Sequence, residues 1–250
     1  MPEYLLFRLF GPMAAWGGVA VGEYRPSESH PSRSAIFGLV AAALGIRRED
    51  AADLKELQES YRMAVLVNTP GSLIRDYHTT QVPSEITKKR AWPFATRREE
   101  VSIHRDDLNT ILSTREYFCD ALYTVCIQAA TENPPYLLSE LAEALNSPVF
   151  TLYLGRRSCP VALPLQPQVF RGDNLRAAME AAVFQNIGMM SSIAGKERGM
   201  LFWEGEENTG FAVESSQTVQ RRDVALNRRR WQFTERKEHG ALVQVPEGVR

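Results

Sequence analysis

Arg75-Asp76-Tyr77-His78-Thr79-Thr80 and Arg115-Glu116-Tyr117-Phe118-Cys119-Asp120-Ala121-Leu122-Tyr123-Thr124-Val125-Cys126 bracket the part of the chain whose reading decides the architecture. Both are rich in aromatic and β-branched residues and read as strands. What lies between them does not read as core. From Ile86 to Arg98 the chain carries Lys88, Lys89, Arg90, Arg97 and Arg98 and no acidic residue, with Trp92 and Phe94 interleaved. Loops longer than about 12–15 residues are uncommon in compact domains and are usually functional or disordered. With roughly 15 residues per arm at about 3.3 Å each, an excursion over about 78–114 reaches on the order of 50 Å as a β-ribbon. Cations beside aromatic rings suit a nucleic-acid backbone and its unstacked bases. The same composition also fits a solvated surface loop.

Working outward, residues 4–10 form an almost unbroken apolar run with Arg8 as its single charge, as expected of a central strand. Gly11-Pro12-Met13-Ala14-Ala15-Trp16-Gly17-Gly18 ends it, and Trp16 either caps the core or stacks on a ligand. The loop runs on through Arg25 to Ser32, Arg33 and Ser34. Ser32 or Ser34 caps a helix over 35–44, which Gly45 terminates. Arg33 and Ser34 at its start make either an anion site or a plain cap. A short helix at 53–59, strands at 61–68, 73–77 and 117–127, a helix opened by Asn133-Pro134 and a strand at 149–154 complete the series. Strand, helix, strand, strand, helix, strand is the split βαβ plan of a ferredoxin-like or RRM-like α+β domain. Beyond Gly155, a helix at 174–183 and short strands at 211–214, 231–234 and 241–245 predict a β-rich C-terminal extension. The expected division is therefore 1–155 for the first domain, including the insertion, and 156–250 for the extension.

A net charge of −1 over 250 residues argues against a wholesale polyanion binder, so nucleic-acid contact must come from local patches. Arg221, Arg222, Arg228, Arg229, Arg230, Arg236 and Lys237 crowd one region against Asp223 and Glu235, while Glu204, Glu206, Glu207 and Glu214 lie upstream. That asymmetry predicts one face for nucleic acid and another for a protein partner. No signal peptide and no membrane-spanning run is legible. Cys119, Cys126 and Cys159 make a poor disulfide framework and read as reduced thiols of a cytoplasmic protein. On one strand Cys119 and Cys126 would face opposite sides and could not share a metal. No cofactor is expected.

The chain has no P-loop, dinucleotide fingerprint or zinc signature. Histidine, tyrosine and lysine together can cleave RNA without metal, and here that would recruit His78, Tyr117 and Lys88 or Lys89. His78 can equally bond within the sheet or touch RNA without reacting. Asp76 and Asp120 lack carboxylate companions in sequence, so a two-metal site has little support. The aromatic RNP1 pattern is missing from 61–68 and 117–127. RNA contact through a helix start, glycine loops and the excursion fits better than base stacking on the sheet.

These residues add up to a resemblance. Leu9 to Gly17, Pro31-Ser32-Arg33-Ser34 with the helix to Gly45-Ile46, Arg75 to Thr79, Arg115 to Asp120 and Tyr153-Leu154-Gly155-Arg156-Arg157-Ser158-Cys159-Pro160 resemble, in order, the CasD family of CRISPR-associated proteins within the RAMP superfamily. The last block is the most specific, and the final third matches loosely around 221–231. The resemblance implies an RRM-like RAMP domain whose excursion is a β-hairpin thumb. It also implies a place at the foot of the type I-E Cascade complex, holding the 5′ handle of the CRISPR RNA. The partners implied are the adjacent backbone subunit, the large PAM-recognising subunit and, indirectly, target DNA, with no membrane. RNA cleavage belongs to another subunit in that subtype, so no catalysis is expected. Relatives in subtype I-C are endoribonucleases, which is the alternative. The RNA-contacting set expected here is Trp16, Arg25, Arg33, Ser34, Arg75, Tyr77, His78 and the excursion's Lys88, Lys89, Arg90, Trp92, Arg97 and Arg98, followed by Arg115, Tyr117, Arg156 and Arg157. Two features depart from the family: a longer excursion, and Gly240 alone where relatives have a glycine-rich turn.

Overall fold

The computed structural model describes residues 1–84, 94–185, 190–205, 208–213, 215–227, 230 and 232–250. In chain order come β1 (Glu3–Phe10), β2 (Met13–Ala14), β3 (Trp16–Gly17), β4 (Tyr24–Arg25), β5 (Ser27–Glu28), α1 (Arg33–Leu44), α2 (Ala51–Glu59), β6 (Tyr61–Thr69) and β7 (Ser72–Pro83). After these follow α3 (Arg97–Val101), β8 (Leu108–Cys119), β9 (Leu122–Ala129), α4 (Leu138–Asn146), β10 (Gln168–Arg171), α5 (Leu175–Ala181), β11 (Arg198–Trp203), β12 (Gln217–Asn227) and β13 (Gln232–Gln244).

The main sheet has the order β10-β1-β9-β6-β11-β13-β12, and every pairing in it is antiparallel. β9 lies between β1 and β6, which run the same way and are joined through α1 and α2. β1 is buried from Tyr4 to Phe10 because both of its faces are covered. Leu5, Phe7 and Leu9 join the core under α1 and α4, while Tyr4 and Leu6 join a second core with Leu175, Ala178 and Met179 of α5. Period-two alternation sorts the side chains between the two cores.

Helix α1 starts and stops where expected. The Ser32 hydroxyl accepts from the Ala35 N–H at 3.2 Å, and Gly45 takes φ +80 at the other end. The expected strand at 149–154 does not form. The N–H groups of Val149 and Phe150 donate to the carbonyls of Ala43 and Ala42 at 3.0 and 3.1 Å, capping the last turn of α1. Those donors are then unavailable to a ladder, and β10 takes the sheet position beside β1. One sheet therefore draws strands from both sides of the expected division at 155/156, β1, β9 and β6 from before it and β10, β11, β13 and β12 from after it. The anticipated extension is built of strands of the same sheet. Helix α4 begins at Leu138, after Asn133-Pro134, with the Leu137 N–H bonded to the Glu140 carboxylate at 2.6 Å. Of the separate strands expected at 231–234 and 241–245, residues 232–234 and 241–244 both belong to β13, and 211–213 are irregular; residues 214 and 231 lie outside the described residues.

Candidate nucleic-acid interface

Strands β7 and β8 form a ribbon outside the main sheet, in unbroken register from Ser72↔Cys119 to Pro83↔Leu108. Twelve residues per arm give a length of about 40 Å at about 3.3 Å per residue. The strand expected over 117–127 is broken: β8 ends at Cys119, Asp120 takes φ +55, and β9 re-enters the main sheet at Leu122. Aspartate tolerates this left-handed conformation better than most residues. The break places Cys119 and Cys126 on different sheets, and no cluster of three or more His, Cys, Asp or Glu suited to a metal occurs among the described residues.

Residues opposite each other in the ribbon share a face. Arg75 and Tyr77 therefore lie on one face with Glu116 and Thr114, while Asp76 and His78 lie on the other with Arg115 and Ser113. β2 and β4 flank β8 at the base, where Tyr24 pairs with Thr114 and Arg25 with Arg115. Glu116 ties these parts together. Its carboxylate accepts from the Tyr24 hydroxyl, from Arg75 Nε at 2.9 Å and from the Ser27 N–H at 3.3 Å. The Tyr24 hydrogen bond, reinforced by Arg75, holds the Glu116 carboxyl below its usual range, and the same bond pushes the Tyr24 phenol up.

Arg156 closes the base from the opposite side. It donates to the carbonyls of Glu116 and Arg25, both at 3.0 Å, and its guanidinium lies 4.7 Å from the centre of the Tyr117 ring. Gly155 sets up this reach at φ +82, where an added Cβ would lie 1.9 Å from the Ala15 carbonyl oxygen. Among the exposed side chains around the base are the cations Arg25, Arg75 and Arg157 and the rings of Tyr77 and Tyr24, with Arg115 partly exposed and the acidic Glu23, Glu28 and Asp76 also in solvent.

Four of the seventeen expected contact residues, Lys88, Lys89, Arg90 and Trp92, lie outside the described residues, as do Arg228 and Arg229 of the basic cluster and Glu206, Glu207 and Glu214 of the acidic stretch. Arg97 folds back on the ribbon, bonded to Glu100 and to the Gln81 carbonyl, while Arg98 is exposed.

Trp16 is 1 % exposed and packs edge-on against Tyr123, so it is a core residue and no stacking platform. Arg33 is buried against Glu204 and the carbonyls of Gln58 and Tyr61, and the Asp223 carboxylate accepts from its N–H at 2.8 Å. The start of α1 thus already holds an anion of its own chain, and Ser34 bonds to Ser32 at 3.1 Å. Tyr117 is buried beneath Arg156. Arg221 and Arg236 of the basic cluster are likewise spent internally: they pair with Asp223 and Glu238, and Arg236 also with Glu204. The sequence reading missed Tyr24, Ser27 and Glu116. Alternation places Glu116 on the face opposite its neighbours, but nothing local announces the strap that meets it.

Residues 4–238 match the family model described as CRISPR-associated protein (Cas_Cas5). This chain belongs to that Cas5 family. The Cas5 chain is 37% identical over 175 residues to the CRISPR system Cascade subunit CasD of Escherichia coli (strain K12), covering 66% of this chain and 70% of the relative. Among solved structures it is similar to a chain of a CRISPR RNA-guided surveillance complex, at 25% identity and a TM-score of 0.64, with 98% of this chain and 92% of the other covered. It is also similar to a Cas protein crystal structure at 25% identity and a TM-score of 0.61, covering 99% and 100% of the two chains. The family expected from the residues is the family found. None of the described helices of this Cas5 protein is long and apolar enough to cross a membrane.

Proposed function

We propose that this Cas5 protein is the CRISPR RNA-binding subunit of a type I-E Cascade surveillance complex, holding the 5′ handle of the RNA and joining the backbone subunits to the large PAM-recognising subunit. In this reading the strand order β10-β1-β9-β6 is the ferredoxin-like, RRM-like core of a RAMP domain, and the ribbon is its thumb. The observation that carries the reading is the ribbon base, where Arg25, Arg75, Arg157 and Tyr77 stand exposed around a fixed scaffold. Guanidinium groups suit phosphate, and an exposed phenol offers a face to an unstacked base. Crosslinking of the assembled complex tests it: the expected adducts join this chain to the RNA 5′ end, and adducts at the 3′ end alone would sink the assignment.

The subunit acts in this proposal without cleaving RNA. His78 lies with Nε2 2.5 Å from Asp76 Oδ2, and its cross-strand partner is Ser113. Tyr117 sits four residues further along β8, about 13 Å away at about 3.3 Å per residue. That is too far for both to reach one phosphate in this arrangement. The test is incubation of the full chain with repeat RNA, compared with His78→Ala. Cleavage lost in the variant would establish the nuclease reading.

A further inference from the structure

Glu116 is an acidic side chain set in a surface populated by arginines. If RNA runs across the ribbon base, a carboxylate there repels the phosphates, so its presence needs a reason. Its surroundings supply one. The side chain is 7 % exposed, and its oxygens take up Tyr24, Ser27 and Arg75 as donors. Arg75 reaches it through Nε, while 66 % of the Arg75 side chain remains exposed. A guanidinium held at Nε still presents its two terminal amino groups outward, the pair that can grip a phosphate in two-point fashion.

Tyr77 stands two residues along β7 on the same ribbon face and is 63 % exposed. Alternate strand positions lie about 6.6 Å apart, a span that the phosphate and base of one nucleotide can bridge. We propose that Glu116 is a positioning residue for RNA: its buried carboxylate holds Arg75 outward beside Tyr77, so that the two form a seat for one nucleotide, with the phosphate on Arg75 and the base on Tyr77. This rests on the RNA-binding reading above. The carboxylate acts by removing rotamer freedom from Arg75 before RNA arrives, so that less is lost on binding.

The proposal and simple electrostatics predict opposite signs. By charge alone, neutralising Glu116 makes the surface more attractive to RNA and tightens binding. By positioning, Glu116→Gln weakens it. Tyr24 and Arg75 share one carboxylate oxygen and Ser27 takes the other. The neutral amide turns its NH2 toward the Ser27 N–H and replaces the charge-assisted bond to Arg75 with a weaker neutral one, so Arg75 is held less firmly.

The experiment measures fluorescence anisotropy of a fluorescein-labelled single-stranded oligoribonucleotide titrated with the full chain at several salt concentrations, with thermal melting run in parallel. Arg75→Ala is expected to weaken binding several-fold and to flatten the log–log salt dependence by about 0.7, the loss of one phosphate contact. Glu116→Gln is expected to weaken it in the same direction, and to add nothing in the Arg75→Ala background. Tyr24→Phe keeps the charge, removes one bond to the carboxylate, and should weaken binding less; it carries the test if Glu116→Gln melts early, and unchanged binding by it would then overturn the proposal. Tighter or equal binding by a folded Glu116→Gln, or a full further loss in the Arg75→Ala background, overturns it while leaving RNA binding intact. Absence of RNA binding by the wild-type chain, alone and in its complex, would remove the RNA-binding reading itself and this proposal with it.

Discussion

Trp16 and Arg33 are both attractive RNA contacts in isolation, and both are consumed by the interior. Trp16 follows a glycine-proline turn, a common setting for an exposed ring, yet the close approach of Gly155 to the Ala15 carbonyl draws this loop into the core. Trp16→Ala should therefore cost about 3–5 kcal/mol of folding stability, as expected for a buried aromatic. Chemical denaturation measures that loss, and the RNA affinity of the folded fraction should stay unchanged. Loss of affinity without loss of stability would restore Trp16 as a stacking residue. Gly155→Ala should also destabilise, because a side chain at φ +82 meets the Ala15 carbonyl at 1.9 Å; the left-handed conformation alone costs about 1–2 kcal/mol. A lowered melting temperature checks it.

Among the described elements, the ribbon lies outside the main sheet and carries exposed apolar side chains. Leu73, Ile74, Tyr77 and Ile111 are exposed along it, and its register is held by the ladder and by the straps at its base. Its outer part contributes little to the cores, whose members come from the main sheet, the helices and the base. Replacing 84–102 with a short Gly-Ser turn should leave the thermal melt of the isolated chain nearly unchanged, since surface connections tolerate change. The same variant should fail to enter the ribonucleoprotein complex, because it removes Lys88, Lys89, Arg90, Arg97 and Arg98 together with Trp92, Phe94 and Val101, the cations and apolar residues expected to meet RNA or a neighbouring subunit. Co-purification with the other subunits and RNA reads this out, and normal assembly would show the segment 84–102 to be dispensable.

Across the whole molecule, a buried ionic cluster joins the start of α1 to β12 and β13. Arg33, Arg221 and Arg236 meet Glu204, Asp223 and Glu238, with His30 bonded to Glu238 at 2.9 Å and stacked 3.6 Å from Phe202. Burial pushes the Glu238 carboxyl up, but His30, Arg221 and Arg236 outweigh it and bring the group down to about 2. Burial, with Arg221 nearby, holds the His30 imidazole below 6.5 against the opposing pull of Glu238. Both groups bind fewer protons folded than unfolded, so both contribute stability at neutral pH that acid removes. The His30 contribution should fade as pH falls below about 6.5, and that of Glu238 from about 4.5 toward about 2. Urea midpoints across this range should fall with acidity, and a flat profile would contradict the cluster. Glu238→Gln should cost about 3–5 kcal/mol at neutral pH, since it leaves buried guanidinium charge uncompensated.

The sequence by itself determined what depends on neighbours along the chain. Ser32 and Gly45 mark the ends of α1 because capping and the left-handed turn are local chemistry. The run from Tyr4 to Phe10 declared a strand covered on both faces. The long polar stretch between two strand-like segments announced the ribbon, and the block from Tyr153 to Pro160 carried the family. Only the tertiary structure decided which charges are free. Arg33, Arg221 and Arg236 look like Arg25 and Arg75 in sequence, but they are buried among carboxylates, whereas Arg25 is exposed and Arg75 meets Glu116 with two thirds of its side chain still in solvent. It also decided that 149–150 would cap a helix and that β10 would take the place beside β1, because both outcomes turn on pairing between backbone groups far apart in the chain. Burial and charge pairing belong to contacts between remote segments, and no local pattern encodes them.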